Sequence, residues 1–308
     1  MGASFTYPIF RYLSKSKVIT YTHYPIISTE MLNVVERNIE SFNNRKWIAN
    51  SKLFSTMKIF YYRLFALLYK FSGKCCNLVM VNSSWTSRHI KELWSVEPIT
   101  VFPPCNTENL KKISLNLKKP SLIISMAQFR PEKNHRLQLE AFKHFIELMT
   151  NQGANVDDLE FHIIGSCRND DDYGRVKELQ NYSKELALDD WVKFRVNLVY
   201  REMEELMGRA SIALHTMINE HFGISVVEFL AAGCVTVSHR SGGPLLDIIR
   251  ENETGFFAET KEQFGKMLFD LRLRKSLQQI RINCRESVER FSERTFIQNF
   301  NDNIEQFM

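Results

Sequence analysis

Two glutamates placed eight positions apart form a pair that could hold a sugar. Glu220 and Glu228 flank the dipeptide Phe222-Gly223. Because Gly223 interrupts the segment, we expect Glu220 in a loop and Glu228 inside the helix that follows. Carboxylates accept hydrogen bonds from neighbouring hydroxyl groups, so such a pair suits a ribose and a hexose. The alternative interpretation is a helix cap and a partly buried glutamate that bind no ligand.

Two cations precede another predicted helix, which starts near residue 134. Arg130 and Lys133 lie in the sequence Arg130-Pro-Glu-Lys133. Fixed positive charge next to the amides of a helix start is an arrangement that binds anions. The alternative is a solvated loop in which Glu132 neutralises these cations.

A pair of glycines, Gly242 and Gly243, precedes Pro244. Proline is favoured in the first turn of a helix, so the pair lies at a predicted helix start. Glycines allow backbone amides to approach a diphosphate closely. The alternative is a tight turn whose glycine adopts the left-handed conformation.

Each of these three groups follows a predicted buried strand. The strands cover 122–126, 211–215 and 235–238, and helices separate them. Continuous apolar strands that alternate with helices predict a parallel sheet covered on both faces. Such sheets bind ligands at the carboxyl ends of their strands. Cations, carboxylates and a glycine turn at one edge together predict a pocket for a nucleoside diphosphate sugar.

Composition supports a folded chain and excludes several classes of protein. The 308 residues include 40 Lys+Arg and 35 Asp+Glu, which gives a net charge of +5, and 44% of the residues are apolar. These values exclude a disordered chain, and the length suggests two domains. Mildly basic charge without a recognition motif does not predict nucleic-acid binding. The six scattered cysteines indicate reduced thiols in a cytosolic setting.

The first third of the chain contains an amphipathic, acid-free stretch. Between Glu40 and Glu92 there are nine Lys or Arg residues and no Asp or Glu. Six apolar residues share one face of a predicted helix over 53–71: Leu53, Met57, Phe60, Leu64, Leu68 and Phe71. This pattern suits a helix that lies on an anionic membrane. The alternative is a core helix with solvated lysines. No window offers about 18 uninterrupted apolar residues, the length that a transmembrane helix needs.

Several strings in this chain together resemble a known family. The Glu220-x7-Glu228 motif with Gly242-Gly243 resembles the donor domain of the retaining GT-B glycosyltransferases of group one. Further strings are similar to the α-1,2-mannosyltransferases that extend the dolichol-linked oligosaccharide of asparagine-linked glycosylation. These strings are His23-Tyr24-Pro25, Ile27 to Leu32, Val81 to Thr86, Phe102 to Cys105, Gln128 to Asn134, Gly165 to Arg168 and Ser241 to Pro244.

The resemblance implies an α/β fold of GT-B architecture, with two Rossmann-like domains that face a cleft. We expect a partial N-terminal acceptor and membrane-facing domain over 1–117 and a GDP-sugar-binding domain over 118–290. A C-terminal helix over 291–308 is expected to return toward the first domain. The resemblance also suggests that the N-terminal domain is incomplete, because the membrane anchor and the glycine-rich first βα unit of full-length relatives have no counterpart here.

The resemblance also assigns roles to the two glutamates and their neighbours. Glu228 is expected to bind the ribose of GDP. Glu220 is expected to hold mannose hydroxyls, with the amides of Phe222 and Gly223 nearby. His23 follows a predicted strand over 18–21 and is expected to face the mannose. The alternative for His23 is a core or capping histidine.

The remaining implied roles concern the leaving group. Arg130 and Lys133 are expected to neutralise the departing diphosphate, and the amides of Gly242 and Gly243 to support it. Fixed cations and amides can stabilise this charge without a metal ion, so neither a metal nor a cofactor is expected. Many members of the broad family have arginine where this chain has Gln128, so Arg130 is expected to supply that charge.

The implied function is a GDP-mannose-dependent α-1,2-mannosyltransferase that adds the fourth and fifth mannoses to the dolichol-diphosphate-linked oligosaccharide. Its expected place is the cytosolic face of the endoplasmic reticulum membrane, with the membrane surface and other mannosyltransferases of the pathway as partners. Two alternatives stay open. One is an inactive fragment that acts as an interaction partner, and the other is a GT-B transferase that uses another sugar nucleotide. A glycosidase fits poorly, because hydrolases place two carboxylates on either side of the bond that they cleave.

Overall fold

A computed structural model describes residues 3–25 and 52–307 of the chain. Close contacts between Cα atoms divide it into two compact units. The first unit combines Met1–Phe102 with Asp302–Met308, and the second covers Pro103–Asn301.

The first unit contains a three-stranded parallel sheet in the described part of the chain. Its strands are β1 (Ile19–Thr22), β2 (Leu78–Val81) and β3 (Ile99–Thr100), in the order β1-β2-β3. Ile19 pairs with Leu78, and all four residues of β2 are buried. Parallel neighbours need a long crossover connection, and helices supply it here.

Two long helices belong to this unit, α1 (Lys52–Lys74) and α2 (Ser84–Trp94). The hydroxyl of Ser83 accepts a hydrogen bond from the Thr86 amide, which caps the start of α2. A short 3₁₀ turn (Ala3–Thr6) and a π-helical turn (Ile9–Leu13) precede β1. The string Ile27 to Leu32, one of those that carry the resemblance, lies outside the described residues.

Helix α1 packs one face into the core and leaves an apolar face exposed. Tyr69 and Ser72 are buried. Leu64, Leu68 and Phe71 are 46%, 49% and 53% exposed, so these three members of the predicted apolar face point away from the core. The side chains of the other three predicted members are outside the described part of the chain: Leu53, Met57 and Phe60. Within the described residues, no helix combines the length and hydropathy needed to cross a membrane.

The second unit contains a six-stranded sheet in which every strand pair is parallel. Its strands are β4 (Lys119–Met126), β5 (Glu160–Gly165), β6 (Val192–Val196), β7 (Ala210–His215), β8 (Val235–His239) and β9 (Gly255–Ala258). Their order is β6-β5-β4-β7-β8-β9. This is the 3-2-1-4-5-6 order of dinucleotide-binding folds, whose direction changes between β4 and β7.

Helices of the second unit connect these strands and follow them. They are α3 (Thr107–Lys111), α4 (His135–Asn151), α5 (Asp170–Glu185), α6 (Tyr200–Arg209), α7 (Ile224–Ala232), α8 (Lys261–Leu273) and α9 (Gln278–Ser287). Helix α10 (Glu293–Phe307) lies within the C-terminal helix predicted over 291–308. The predicted alternation of strands and helices therefore matches the structure, except that a five-residue π-helical turn (Pro244–Ile248) stands where a helix was predicted after the glycine pair.

The division between the units differs from the predicted boundary after residue 117. The short helix α3 packs against α7, and Leu110 is fully buried there. Residues 103–117 therefore group with the second sheet. The boundary was predicted where regular alternation of strands and helices begins. The single-turn helix α3 precedes that point and was therefore not recognised as part of the second unit. At the other end, the structure groups residues 302–308 rather than 291–308 with the first unit.

Helix α7 lies in the core of the second unit. Its sequence, ISVVEFLAA, is apolar on every side, and six of its nine residues are buried. A helix that is hydrophobic all round belongs inside a protein. Glu228 is its single charged residue. A lone carboxyl group in such a helix is costly to bury, which makes Glu228 a candidate for a binding role.

Candidate functional site

The loops that follow β4, β7 and β8 meet at one edge of the second sheet, where the strand order changes direction. The Thr216 hydroxyl donates within 3.0 Å to the carbonyl of Lys133 and lies 3.1 Å from that of Asn134, which joins the first two loops. The Asn219 amide donates to the Ser241 hydroxyl at 2.8 Å, which joins the second and third. All three predicted groups of residues therefore lie at the carboxyl ends of parallel strands, where such sheets bind ligands.

Glu220 lies at the centre of this edge. Its Oε2 is 2.6 Å from Lys133 Nζ and 3.3 Å from His215 Nε2, and its Oε1 accepts from the His221 amide at 3.2 Å. The two side chains of the ion pair are largely buried, with 20% of Lys133 and 13% of Glu220 exposed. Burial acts to raise the pKa of Glu220, but His215 and Lys133 outweigh it and hold that pKa well below its usual range. Glu220 is therefore ionised at neutral pH.

Arg130 is less constrained than Lys133. Its Nη1 lies 4.0 Å from Glu132 Oε1, and both side chains are well exposed, at 39% and 49%. Ion pairs of this kind contribute little to stability. The alternative interpretation was that Glu132 neutralises both cations. Glu132 pairs only weakly with Arg130, and the carboxylate that pairs with Lys133 is Glu220.

A histidine lies just beneath the two cations, at the first position of α4. His135 is buried, and its ring stacks on that of Phe129 with 5.1 Å between centroids. Burial and then the charge of Lys133 are the largest causes that lower the pKa of His135 to about 4. The imidazole is therefore neutral at neutral pH, and the positive charge at this helix start comes from the two cations.

The glycine pair fixes the position of Glu220. Gly242 has a φ of +66°, which is the left-handed turn given above as the alternative interpretation. A Cβ atom on Gly242 would lie 2.3 Å from the Glu220 carbonyl oxygen, so a side chain cannot fit. The Gly243 amide donates to that same carbonyl at 2.7 Å. In this structure the Gly243 amide thus holds the Glu220 backbone, and the role predicted for the pair on a diphosphate stays a prediction.

Phe222 and Gly223 connect Glu220 to α7. The Phe222 side chain is buried and packs edge-on against Phe291, with 5.5 Å between ring centroids. Gly223 has a φ of +111° and forms the N-cap of α7, so the loop turns there as the sequence predicts. This turn separates the loop carboxylate of Glu220 from the helical carboxylate of Glu228. The predicted contacts of the Phe222 and Gly223 amides with a sugar stay a prediction.

Glu228 has an environment opposite to that of Glu220. Its side chain is partly buried, and no hydrogen bond or ion pair links its carboxyl group to another described residue. Burial raises the pKa of Glu228 to about 7. A carboxyl group that lacks a protein partner is well suited to accept hydrogen bonds from a ligand.

Three residues near Glu228 were not predicted as part of the site. Burial and then the charge of Glu228 raise the pKa of Cys105 to about 12. Burial also raises the pKa of Tyr200, and the charge of Glu228 adds to this effect. The Asn106 amide group donates to the Tyr200 hydroxyl. Tyr200 follows β6, so the position after a strand was its only sequence signal. His215 was also missed, although it is a polar residue at the end of an apolar strand.

His23 belongs to the first unit, where it follows the carboxyl end of β1. It is exposed, and its ring lies edge-on to Tyr21 with 5.0 Å between centroids. Its carbonyl accepts from the Thr86 hydroxyl at 3.3 Å. The position after a strand agrees with the sequence, the exposure does not fit a core histidine, and the role on a sugar stays a prediction.

No group of three or more His, Cys, Asp or Glu side chains among the described residues could hold a metal ion. Asp170, Asp171 and Asp172 lie in the first turn of α5, where Asp172 accepts a hydrogen bond from the Arg168 amide. The acidic triplet therefore serves a helix start. That the reaction needs no metal stays a prediction.

Comparison with known proteins agrees with this fold. The chain belongs to the family of group 1 glycosyl transferases, whose model matches residues 106–282. Residues 1–94 match the model of the ALG11 mannosyltransferase N-terminus. The predicted α/β class and GT-B architecture are confirmed by this family membership and by the two parallel-sheet units.

Individual relatives carry a more specific name. The "GDP-Man:Man(3)GlcNAc(2)-PP-Dol alpha-1,2-mannosyltransferase" of Mus musculus is 44% identical over 96% of this chain. The protein of the same name from Homo sapiens is 42% identical over 99% of this chain. The chain spans 62% and 64% of the length of these two relatives.

Solved structures share the fold at low sequence identity. HepE from Anabaena, solved in complex with UDP, has a TM-score of 0.74 and 15% identity, covering 99% of this chain and 76% of that chain. A glycosyltransferase from Rickettsia africae has a TM-score of 0.64 and 15% identity, covering 99% of this chain and 93% of that chain.

The raised pKa of Glu228 predicts how stability depends on pH. Its pKa of about 7 in the folded protein exceeds the usual value of 4.5, so the folded state binds the proton more tightly. Stability from this group is therefore present below pH 4.5 and is lost as pH rises to about 7. Glu228→Gln removes this loss, and we expect a gain on the order of 1–3 kcal/mol at pH 8 but little at pH 4.5.

Urea unfolding of wild type and Glu228→Gln between pH 4.5 and 8 measures this difference. Asp270→Asn is the control, because Asp270 is an exposed carboxylate paired with Lys266 on α8. A stability difference between wild type and Glu228→Gln that stays constant across this range would contradict the raised pKa.

Proposed function

We propose that this chain is a GDP-mannose-dependent α-1,2-mannosyltransferase that extends the dolichol-diphosphate-linked oligosaccharide for protein N-glycosylation. The observation that carries the proposal is the relatives named for this reaction, 42% and 44% identical over nearly the whole chain. Addition of the fourth and fifth mannoses at the cytosolic face of the endoplasmic reticulum is part of the proposal.

The geometry of the second unit supports a nucleoside diphosphate sugar as donor. Glu228 is a carboxyl without a protein partner in the described residues, and it suits the two hydroxyls of a ribose. Glu220 lies in the neighbouring loop at the same edge and suits the hydroxyls of the mannose. Lys133 and Arg130 lie at the start of α4, where charge and helix amides favour the diphosphate.

The chemical demand of the reaction is the negative charge that develops on the leaving GDP. Arg130 and Lys133 are placed to stabilise that charge, as electrostatic catalysis requires. An α-linked donor that gives an α-linked product retains its configuration. We propose attack of the acceptor hydroxyl on the face from which GDP leaves, with a donor phosphate oxygen taking the proton of that hydroxyl. His23 is proposed to contact the mannose.

A lipid-bound acceptor brings the enzyme to a membrane, and the first unit has a surface suited to one. Leu64, Leu68 and Phe71 form an apolar face on α1 that is about half exposed. The stretch between Glu40 and Glu92 contains nine basic and no acidic residues. Apolar exposure combined with this charge favours an anionic membrane surface as the partner. Binding to other mannosyltransferases of the pathway is a further proposed interaction.

Mannosyl transfer tests the proposed function. The chain is given GDP-mannose and a trimannosyl lipid-diphosphate acceptor, and the lipid product is measured. We expect transfer by wild type and by the control Asp270→Asn. Glu228→Ala should lower kcat/KM about 30-fold or more, since a charged hydrogen-bond acceptor for the ribose is lost.

The same assay separates the alternative functions. Saturable GDP-mannose binding without transfer would favour a protein that acts as an interaction partner. Transfer from a UDP-sugar and not from GDP-mannose would favour a transferase with another donor. Absence of both binding and transfer would contradict the assignment of the donor site.

Vesicle binding tests the membrane surface. Replacing Leu64, Leu68 and Phe71 together by serine should weaken binding to phosphatidylserine-containing vesicles about tenfold or more, because three apolar side chains no longer enter the interface. The control is Leu273→Ser, which removes an equally exposed leucine from the second unit. Equal binding of the triple variant and this control in a sedimentation assay would contradict the assignment.

A further inference from the structure

We propose that Lys133 exchanges its counter-ion during catalysis, leaving the Glu220 carboxylate for the diphosphate of the incoming nucleotide. This inference rests on the proposed function, since it concerns the same donor site. It adds a coupling between Lys133, predicted from the sequence to bind the diphosphate, and Glu220, predicted to bind the mannose.

The ion pair itself is the first observation. Lys133 Nζ lies 2.6 Å from Glu220 Oε2 and 3.0 Å from the Met217 sulfur. Because four-fifths or more of each charged side chain is buried, water screens their attraction only weakly. This pair is therefore stronger than exposed pairs such as Arg130 with Glu132.

The balance of charge around Lys133 gives the second reason for the exchange. If Lys133 kept its contact with Glu220 and also bound a phosphate, two anions would share one ammonium group. Like charges so close together repel each other, and a single positive charge cannot neutralise both. Arg130 is 39% exposed and only weakly paired, so it can approach a phosphate without giving up a strong partner. The exchange is thus specific to Lys133.

Glu220 retains other contacts when Lys133 turns away. The His221 amide donates to Oε1, and His215 Nε2 lies 3.3 Å from Oε2. The Gly243 amide fixes the backbone carbonyl at 2.7 Å. The carboxylate therefore stays at the sheet edge with one side available to hydroxyl groups. Binding of the diphosphate would in this way prepare Glu220 to receive the sugar.

A double-mutant cycle on GDP binding tests the exchange. Glu220→Gln removes the competing charge, and we expect it to bind GDP about 3- to 10-fold more tightly than wild type. Lys133→Gln should bind GDP more weakly. In the Lys133→Gln background, the proposal predicts that Glu220→Gln has no further effect, because there is no ammonium group left to compete for.

The cycle distinguishes exchange from simple repulsion between Glu220 and phosphate. Repulsion alone would leave the gain from Glu220→Gln intact in the Lys133→Gln background, and that result would overturn the proposal. So would equal or weaker GDP binding by Glu220→Gln. Asp270→Asn, which removes an exposed carboxylate beside Lys266, is the control and should bind like wild type. Thermal unfolding of each variant verifies that it is folded.

Inorganic pyrophosphate, measured beside GDP, separates the exchange from the identity of the nucleotide. It carries the diphosphate without base or sugar. The predicted cycle with pyrophosphate but not with GDP would support the exchange and count against GDP as the leaving group. Binding of neither ligand by wild type and Glu220→Gln would overturn the exchange together with the proposed donor site.

Discussion

The site of the second unit depends on three segments that contact Glu220. The loop after β4 contributes Lys133 through its side chain, the end of β7 contributes His215, and the loop after β8 contributes the amide of Gly243. Only glycine fits at position 242, because a Cβ atom there would collide with the Glu220 carbonyl. The position of Glu220 thereby sets the distances between the cations, the carboxylates and the glycine turn. A nucleoside diphosphate sugar would have to span these distances.

The two glutamates occupy environments that drive their pKa values in opposite directions. Lys133 and His215 keep Glu220 ionised despite its burial. Glu228 lies on an apolar helix without a charged partner among the described residues, and burial raises its pKa to about 7. Hydroxyl groups that donate to a carboxylate favour its ionised form. A ribose bound at Glu228 would therefore lower that pKa and offset the cost of burying the carboxyl group.

Much of the fold follows from the sequence because its signals are local. Strands β4, β7 and β8 contain the predicted runs 122–126, 211–215 and 235–238, since buried parallel strands are short apolar runs. The placement of the three candidate loops at one edge also follows, because parallel strands all end on the same side.

The details that the sequence did not predict are set by tertiary contacts. Lys133 and Glu220 are 87 positions apart, so no local pattern pairs them. Asn106 and Tyr200 are 94 positions apart, and a hydrogen bond joins them only in the folded chain. The Gly243 amide was expected to support a diphosphate, but its carbonyl partner is a loop residue 23 positions earlier. The boundary between the units differs from the predicted one for the same reason, because α3 packs on α7 of the second unit.

The most direct test of this account is a crystal structure of the chain with GDP. We expect the diphosphate at the start of α4, with Lys133 Nζ about 3 Å from a phosphate oxygen and no longer within hydrogen-bond distance of Glu220. The ribose should contact Glu228, and the Glu220 backbone should stay on the Gly243 amide. GDP bound at this edge with the Lys133–Glu220 pair intact, or bound elsewhere on the chain, would contradict the account.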